Sequence, residues 1–171
     1  GMRVLGVDPA VDIARRATEA GIETIGDFFT DAIGRRILQS HGAASVVIAN
    51  NMIANVDNLD PLVIGVRDVL APDGLFVFET QYGVDVTEKN LLDTVYHEHL
   101  SDFNIKPLIR FFARLGMELI DVQHIWTKGG SIRVTVQRAG GAKKPSAEVA
   151  RFVAEEERLG VDQPAYYGPY V

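Results

Sequence analysis

Apolar positions change period along this chain, and the changes mark out its elements. Arg3-Val4-Leu5-Gly6-Val7-Asp8 is a short apolar run ending in a carboxylate, and Pro9 closes it ahead of the helical stripe Val11, Ile13, Ala14 and Ala17. Gly21 ends that helix, and residues 23–29 alternate and then turn aromatic, which predicts a second strand with Asp27-Phe28-Phe29 at its carboxyl end. A helix is expected over 31–40. Ser45-Val46-Val47-Ile48-Ala49 has the composition of a buried strand, halted by Asn50-Asn51, two residues that tolerate turns. A helix over 59–70 follows, and Pro72-Asp73-Gly74 reads as a turn into a strand over 75–80. Strand and helix in this rhythm predict a parallel sheet with right-handed crossovers.

Beyond residue 80 the rhythm breaks. An insertion comes first, then an amphipathic helix over 105–115 ended by Gly116, then a strand over 117–125. Lys128-Gly129-Gly130-Ser131 is a turn, and Ile132-Arg133-Val134-Thr135-Val136 alternates as another strand. Two strands joined by so short a connection must run antiparallel, whereas each earlier pair is joined by a helix. Residues 140–145 read as a loop and 146–159 as a charged helix. The tail from Pro164 has no core pattern and is expected to be a linker or a frayed end.

Size and charge narrow the picture. A chain of 171 residues with 47% hydrophobic positions can bury one sizeable core, so one globular domain is expected. A net charge of −6 without a long basic run argues against nucleic acid or an anionic membrane as the main partner. The absence of cysteine excludes disulfides, thiolate zinc sites and cysteine nucleophiles, and fits a reducing cytoplasm. No apolar run approaches the roughly 18 residues of a membrane span, and no charged-then-apolar leader begins the chain. Gly1-Met2 resembles a cloning remnant ahead of a start methionine and is kept out of the fold argument.

The densest candidate chemistry is Tyr96-His97-Glu98-His99, which holds two of the chain's four histidines. Histidine titrates near neutral pH, tyrosine can donate to a developing oxyanion, and a carboxylate between imidazoles can orient one of them. Together they suit proton abstraction next to a carbonyl. A solvated connection with one hydrogen-bonded histidine is the plain alternative. A metal held by His97, His99 and Glu98 is disfavoured, because no further ligand follows at the usual spacing.

An α/β sheet that is mostly parallel but ends in an antiparallel hairpin is the layout of class I methyltransferases, whereas NAD-binding folds keep the sheet parallel to its edge. Val7-Asp8-Pro9, Ile48-Ala49-Asn50-Asn51, Gly74-Leu75-Phe76-Val77-Phe78-Glu79, Tyr96-His97-Glu98-His99 and Gly129-Gly130-Ser131-Ile132-Arg133, taken in order, resemble the S-adenosylmethionine-dependent sugar C-methyltransferases that build branched deoxysugars. The matches run from residue 3 to about residue 138. The resemblance implies that a base removes a proton from carbon 3 of a nucleotide-linked 4-ketosugar and that the enolate attacks the sulfonium methyl. It assigns His99 as the base, Tyr96 and Glu98 to the sugar pocket, and Asn55, Tyr82 and Ser131 to the substrate, with His97 structural. Asp8, at a strand's carboxyl end, is placed to accept ribose hydroxyls, with a helix N-cap as the alternative. Asp27 and Phe28 suit an adenine, Phe29 could equally be core, and Asn50 would face the methionine end of the cofactor. Gly129-Gly130-Ser131 either closes on the sugar or is a bare hairpin turn.

Departures from the family carry further expectations. Asn55 stands where the family has a histidine, which leaves a small non-sugar acceptor open. The family's Glu-Ile-Gly-Ser-Asn-Asp-Gly strand and glycine loop, and its cysteine-rich zinc module, have no counterpart here. The chain is therefore expected to be an internal fragment, a partial methyltransferase core over 3–140 and the start of a C-terminal region over 141–171. The strands ending at Asp8 and Asn50 would flank the missing one, so they should pair directly or self-associate through a second copy. Cofactor affinity should be weak, high micromolar or worse, on the order of −5 kcal/mol. A non-catalytic remnant acting as an interaction domain stays open. A dehydrogenase is disfavoured because no G-x-G-x-x-G precedes the Val-Asp pair.

Overall fold

The structure is a computed structural model that describes residues 1–94 and 96–168; Val95 and the end of the expected tail, 169–171, lie outside the described residues. The chain forms two compact units, residues 1–43 with 60–69, and residues 44–59 with everything from 70 onward.

In the first unit, β1 (Gly6–Asp8) pairs in parallel with β2 (Thr24–Gly26) through α1 (Val11–Glu19), so Asp8 stands opposite Gly26 and the two strands end together. The first strand is shorter than its apolar run, and Val4 is exposed. Thr30 caps α2 (Asp31–His41) by accepting the amide of Ile33. Next to α2 lies α3 (Leu59–Val69), and the two helices touch backbone to backbone: a Cβ on Gly34 would sit 2.5 Å from the carbonyl oxygen of Gly65. Ile33, Ile37, Leu62, Val63 and Val66 are buried in this unit.

The second unit is built on a four-stranded sheet in the order β3 (Ala44–Asn50), β4 (Leu70–Gln81), β6 (Ser131–Arg138), β5 (Met117–Ile125). β3 and β4 are parallel; β6 runs antiparallel to both β4 and β5, as the short connection requires. Pro72-Asp73-Gly74 is not the separating turn its composition suggests. It forms a bulge inside β4, where Ala44 to Val46 of β3 spans Leu70 to Leu75, and exposed Pro72 and Asp73 escape the ladder. Phe76 and Phe78 of β4, 5.2 Å apart, pack against Phe112 of α5 (Ile105–Arg114) with ring centroids 5.7–6.3 Å away. Each ring is buried to 2% exposure or less, contributing about 1.5–3 kcal/mol.

One arm of the strand-edge expectation is not met: β1 and β3 lie in separate sheets and do not pair. β1 spends its three residues on β2, and β3 satisfies one edge on β4 while Val46 and Ile48 remain 52% and 66% exposed. The described part of the tail is not a frayed end either. Pro164 opens a short helix, α7 (Pro164–Tyr167), pinned where Tyr166 Oη donates to Glu88 Oε1 (2.9 Å) and Tyr167 Oη to the carbonyl of Val161 (2.9 Å). No helix among the described residues is long and apolar enough to cross a membrane.

One carboxylate joins the parts that surround the sheet. Glu156 of α6 (Ala147–Leu159), with no exposed surface, accepts the amides of Ile105 (2.6 Å) and Lys106 (2.9 Å) at the start of α5 and the hydroxyl of Tyr82 (3.2 Å). Asn104 makes no side-chain cap, so a residue about fifty positions away satisfies these otherwise orphaned donors. Burial pushes the Glu156 carboxyl above its ordinary range, opposed by the two amides and by Tyr82. Glu156→Ala should cost about 3 kcal/mol or more by urea denaturation, since it strands three buried donors. Because the folded state holds the proton more tightly, this group's contribution is fully present below the ordinary carboxylate pKa and is lost as pH rises through the raised folded value. The stability of the wild type relative to Glu156→Gln should accordingly fall as pH rises through that window.

Candidate active site

The carboxyl end of β3 leads into a short turn of 3-10 helix, Ile53–Asn55, and the Tyr-His-Glu-His segment returns beside it. The amide of Leu100, next to His99, donates to the carbonyl of Ala54, next to Asn55, at 2.8 Å. Asn50 is the register partner of Glu79 on β4, and the amide of Asn51 closes the strand end on the Glu79 carbonyl at 2.7 Å. Asn51 takes φ 53°, a left-handed position that asparagine tolerates. Asn50, Asn55 and His99 are thus gathered at the carboxyl ends of a parallel strand pair, where open α/β sheets bind ligands.

Within the segment, Tyr96 and His99 meet. Their rings lie 4.2 Å apart, and Tyr96 Oη is 2.9 Å from His99 Nε2. His99 Nδ1 is 2.8 Å from the carbonyl of Thr94, an atom that can only accept, so Nδ1 carries the hydrogen. In the neutral ring Nε2 is then the lone-pair nitrogen, and Tyr96 donates to it. A half-buried imidazole with its tautomer set by backbone and its basic nitrogen turned to a phenol can take up a proton and pass one on. Asp102 lies in the same field: burial raises its carboxyl above the ordinary range, and the His99 imidazole pulls the other way.

The other residues of the motif face solvent. His97 is 90% exposed by side chain and reaches Glu98 only at 3.9 Å. Among the described residues, no three histidine, cysteine or acidic groups gather closely enough to hold a metal ion.

Asp8, Asp27 and Phe28 sit together in the first unit at the carboxyl ends of β1 and β2. Asp8 Oδ1 accepts the amide of Ala10 at 2.8 Å, bracing the turn into α1, while Ala10 itself occupies the N-cap position. Asp27 Oδ1 accepts the amide of Phe28, whose ring is 71% exposed. Tyr82 and Ser131 are engaged elsewhere in the second unit. Ser131 is fully buried and donates to the carbonyl of Thr127 at 3.3 Å, and Tyr82, 5% exposed, points to Glu156. Burial, followed by the Glu156 charge, raises the Tyr82 phenol well above its ordinary value.

Sequence reasoning passed over His124 and Asp85, whose Nε2 and Oδ2 atoms stand 2.5 Å apart across 39 positions of chain. Only the placement of a histidine two residues before the single tryptophan hinted at a site there.

Residues 126–171 match the C-methyltransferase C-terminal domain family. The chain is 37% identical over 161 residues to C-methyltransferase NovU of Streptomyces niveus, an alignment covering 94% of this chain and 38% of that protein. By sequence, the chain is similar to part of a C-methyltransferase. It spans a little over a third of that curated relative's length. Solved structures share its fold at lower identity. They include the PH0226 protein of Pyrococcus horikoshii OT3 (TM-score 0.56, 18% identity, 81% of this chain and 72% of that one) and an S-adenosylmethionine-dependent methyltransferase of Anabaena variabilis ATCC 29413 (TM-score 0.58, 16% identity, 80% and 68%). A third is the 1,6-didemethyltoxoflavin-N1-methyltransferase of Burkholderia thailandensis, solved with S-adenosylhomocysteine (TM-score 0.56, 16% identity, 81% and 62%). The α/β sheet with its antiparallel end is that of class I methyltransferases.

The bonding of His99 has a direct spectroscopic outcome. Long-range 15N NMR of the neutral ring should find the hydrogen on Nδ1, and Tyr96→Phe should move the Nε2 resonance while leaving Nδ1 nearly in place. A hydrogen on Nε2 would contradict the Thr94 contact.

Proposed function

We propose that this chain carries the proton-abstracting site of an S-adenosylmethionine-dependent C-methyltransferase acting on a nucleotide-linked ketosugar. The observation that carries the reading is the Tyr96–His99 pair, with Nε2 presented as a base by the Thr94 carbonyl. When a ketone enters, Tyr96 Oη turns from Nε2 to the carbonyl oxygen. The carbon–hydrogen bond next to the ketone breaks, its proton moves to His99 Nε2, and the electron pair becomes an enolate whose oxygen accepts from Tyr96. The imidazolium so formed still donates through Nδ1 to Thr94, which orients it and offsets its charge. Glu98, 61% exposed, is free to meet sugar hydroxyls, and Asn55 borders the same turn. Tyr82 and Ser131, buried with hydroxyls committed to protein acceptors, take no part in this reading.

The residues present fit the cofactor's adenosine. Asp8 keeps a second carboxylate oxygen beyond the one bonded to Ala10, suited to ribose hydroxyls, and Asp27 with the open ring of Phe28 offers an acceptor beside an apolar face for adenine. When bound, S-adenosylmethionine supplies the electrophilic methyl group.

The base can be tested without the methyl donor. In D2O, the chain should exchange the hydrogen next to the ketone of a nucleotide-linked 4-ketosugar, and His99→Ala should slow that exchange by roughly 10²- to 10⁴-fold while His97→Ala does little. Equal rates for His99→Ala and wild type, both folded by circular dichroism, would sink the assignment. For the cofactor strip, Asp8→Ala should weaken S-adenosylmethionine binding by about 1.5–3 kcal/mol in calorimetry or ligand-observed NMR. Unchanged affinity would leave Asp8 only its turn-bracing role.

A further inference from the structure

A cavity of about 320 Å³ opens in the second unit, apart in its bonding from the Tyr96–His99 pair. Its walls are four rings. Tyr82, Trp126 and Phe152 stand around His124, with the His124 ring 4.3 Å from Trp126 in an edge-on contact and 6.2 Å from Tyr82. That volume is at the small end of ligand cavities and suits a single substituted ring.

The charges at the cavity are already matched. Arg151 lies 4.8 Å over the Phe152 ring and pairs with Glu148 at 2.7 Å, and Glu155 pairs with Arg158 at 2.7 Å. Asp85 holds Lys89 on one oxygen (2.7 Å) and His124 on the other (2.5 Å). A carboxylate bound to a lysine accepts, so His124 donates through Nε2, and in the neutral ring its Nδ1 is left with a lone pair. No described residue bonds that nitrogen, while the Tyr82 hydroxyl is taken by Glu156. The cavity therefore offers stacking surface and one acceptor, with no unmatched charge. At its mouth Trp126 leaves its indole 77% exposed, an uncommon cost for so large an apolar side chain.

We infer that this cavity is a ligand site for a flat, neutral ring bearing one O–H or N–H donor. The donor bonds His124 Nδ1, and the ring lies among Tyr82, Trp126 and Phe152. Asp85 is a positioning residue there, setting the tautomer that makes Nδ1 an acceptor. Such a ring is a phenol or a pyrimidine base, and the inference stands on the cavity alone, independent of methyl transfer at His99.

Trp126 is the chain's single tryptophan, so its emission reports the site directly. The chain should be titrated separately with p-cresol and with thymidine. Saturable quenching by either supports the site, and which probe saturates assigns the phenol or the pyrimidine source. His124→Phe keeps a ring in the wall but removes the acceptor, and should weaken the binding about five- to tenfold. Linear, non-saturating quenching by both probes, or an unchanged affinity in a folded His124→Phe, would overturn the inference. If that variant loses its fold by circular dichroism, the wild-type protein decides: the His124 Nδ1 resonance shifts on adding the saturating probe if the inference holds and stays fixed if it does not.

Discussion

The second unit depends on the burial of one carboxylate. Glu156 serves as the missing cap of α5, the acceptor for Tyr82 and the anchor of α6 at once. The two amides at the positive end of the α5 dipole offset part of the cost of taking it out of water, and burial still holds its carboxyl above the ordinary range. Tyr82 in turn is a junction. Its backbone bridges to Phe103, its successor Gly83 donates to the Phe103 carbonyl at 2.9 Å, and its amide reaches the carbonyl of Gly130 in the β5–β6 connection. A single ion thereby couples a helix start, a strand end and a hairpin turn.

The same economy shapes that hairpin turn. Lys128, Gly129 and Gly130 all take positive φ, and a Cβ on Gly130 would come within 2.1 Å of Asp85 Oδ2. Lys89 donates to the Gly129 carbonyl at 2.7 Å while pairing with Asp85. The glycines are thus required where α4 (Gly83–Glu88) and its neighbours press against the turn, a packing reason that stands whether or not the turn also meets a ligand.

The Tyr96–His99 pair is oriented with little enclosure. One backbone carbonyl decides which imidazole nitrogen is basic, and one phenol lies against it, although Tyr96 is 45% exposed. Orientation here comes from a local contact, since Thr94 and His99 are only five positions apart.

Local pattern carried the elements. Period-two alternation, helical stripes and, for β3, a continuous apolar run placed β3, β6, α1, α2, α5 and α6 close to their observed bounds, although Val46 and Ile48 of β3 are exposed rather than buried. The antiparallel hairpin followed from its short connection. What required tertiary structure were the interactions between distant positions. Pro72-Asp73-Gly74 became a bulge because Ala44 and Val46 of another strand supply the register. Glu156 looks like one more solvated acid in a charged helix until α5 and Tyr82 are brought to it. His124 and Asp85, 39 positions apart, have no spacing that a single sequence reveals. Residue chemistry and periodicity are written locally, but which polar groups end up buried together, and so must answer one another, is decided only when the chain closes on itself.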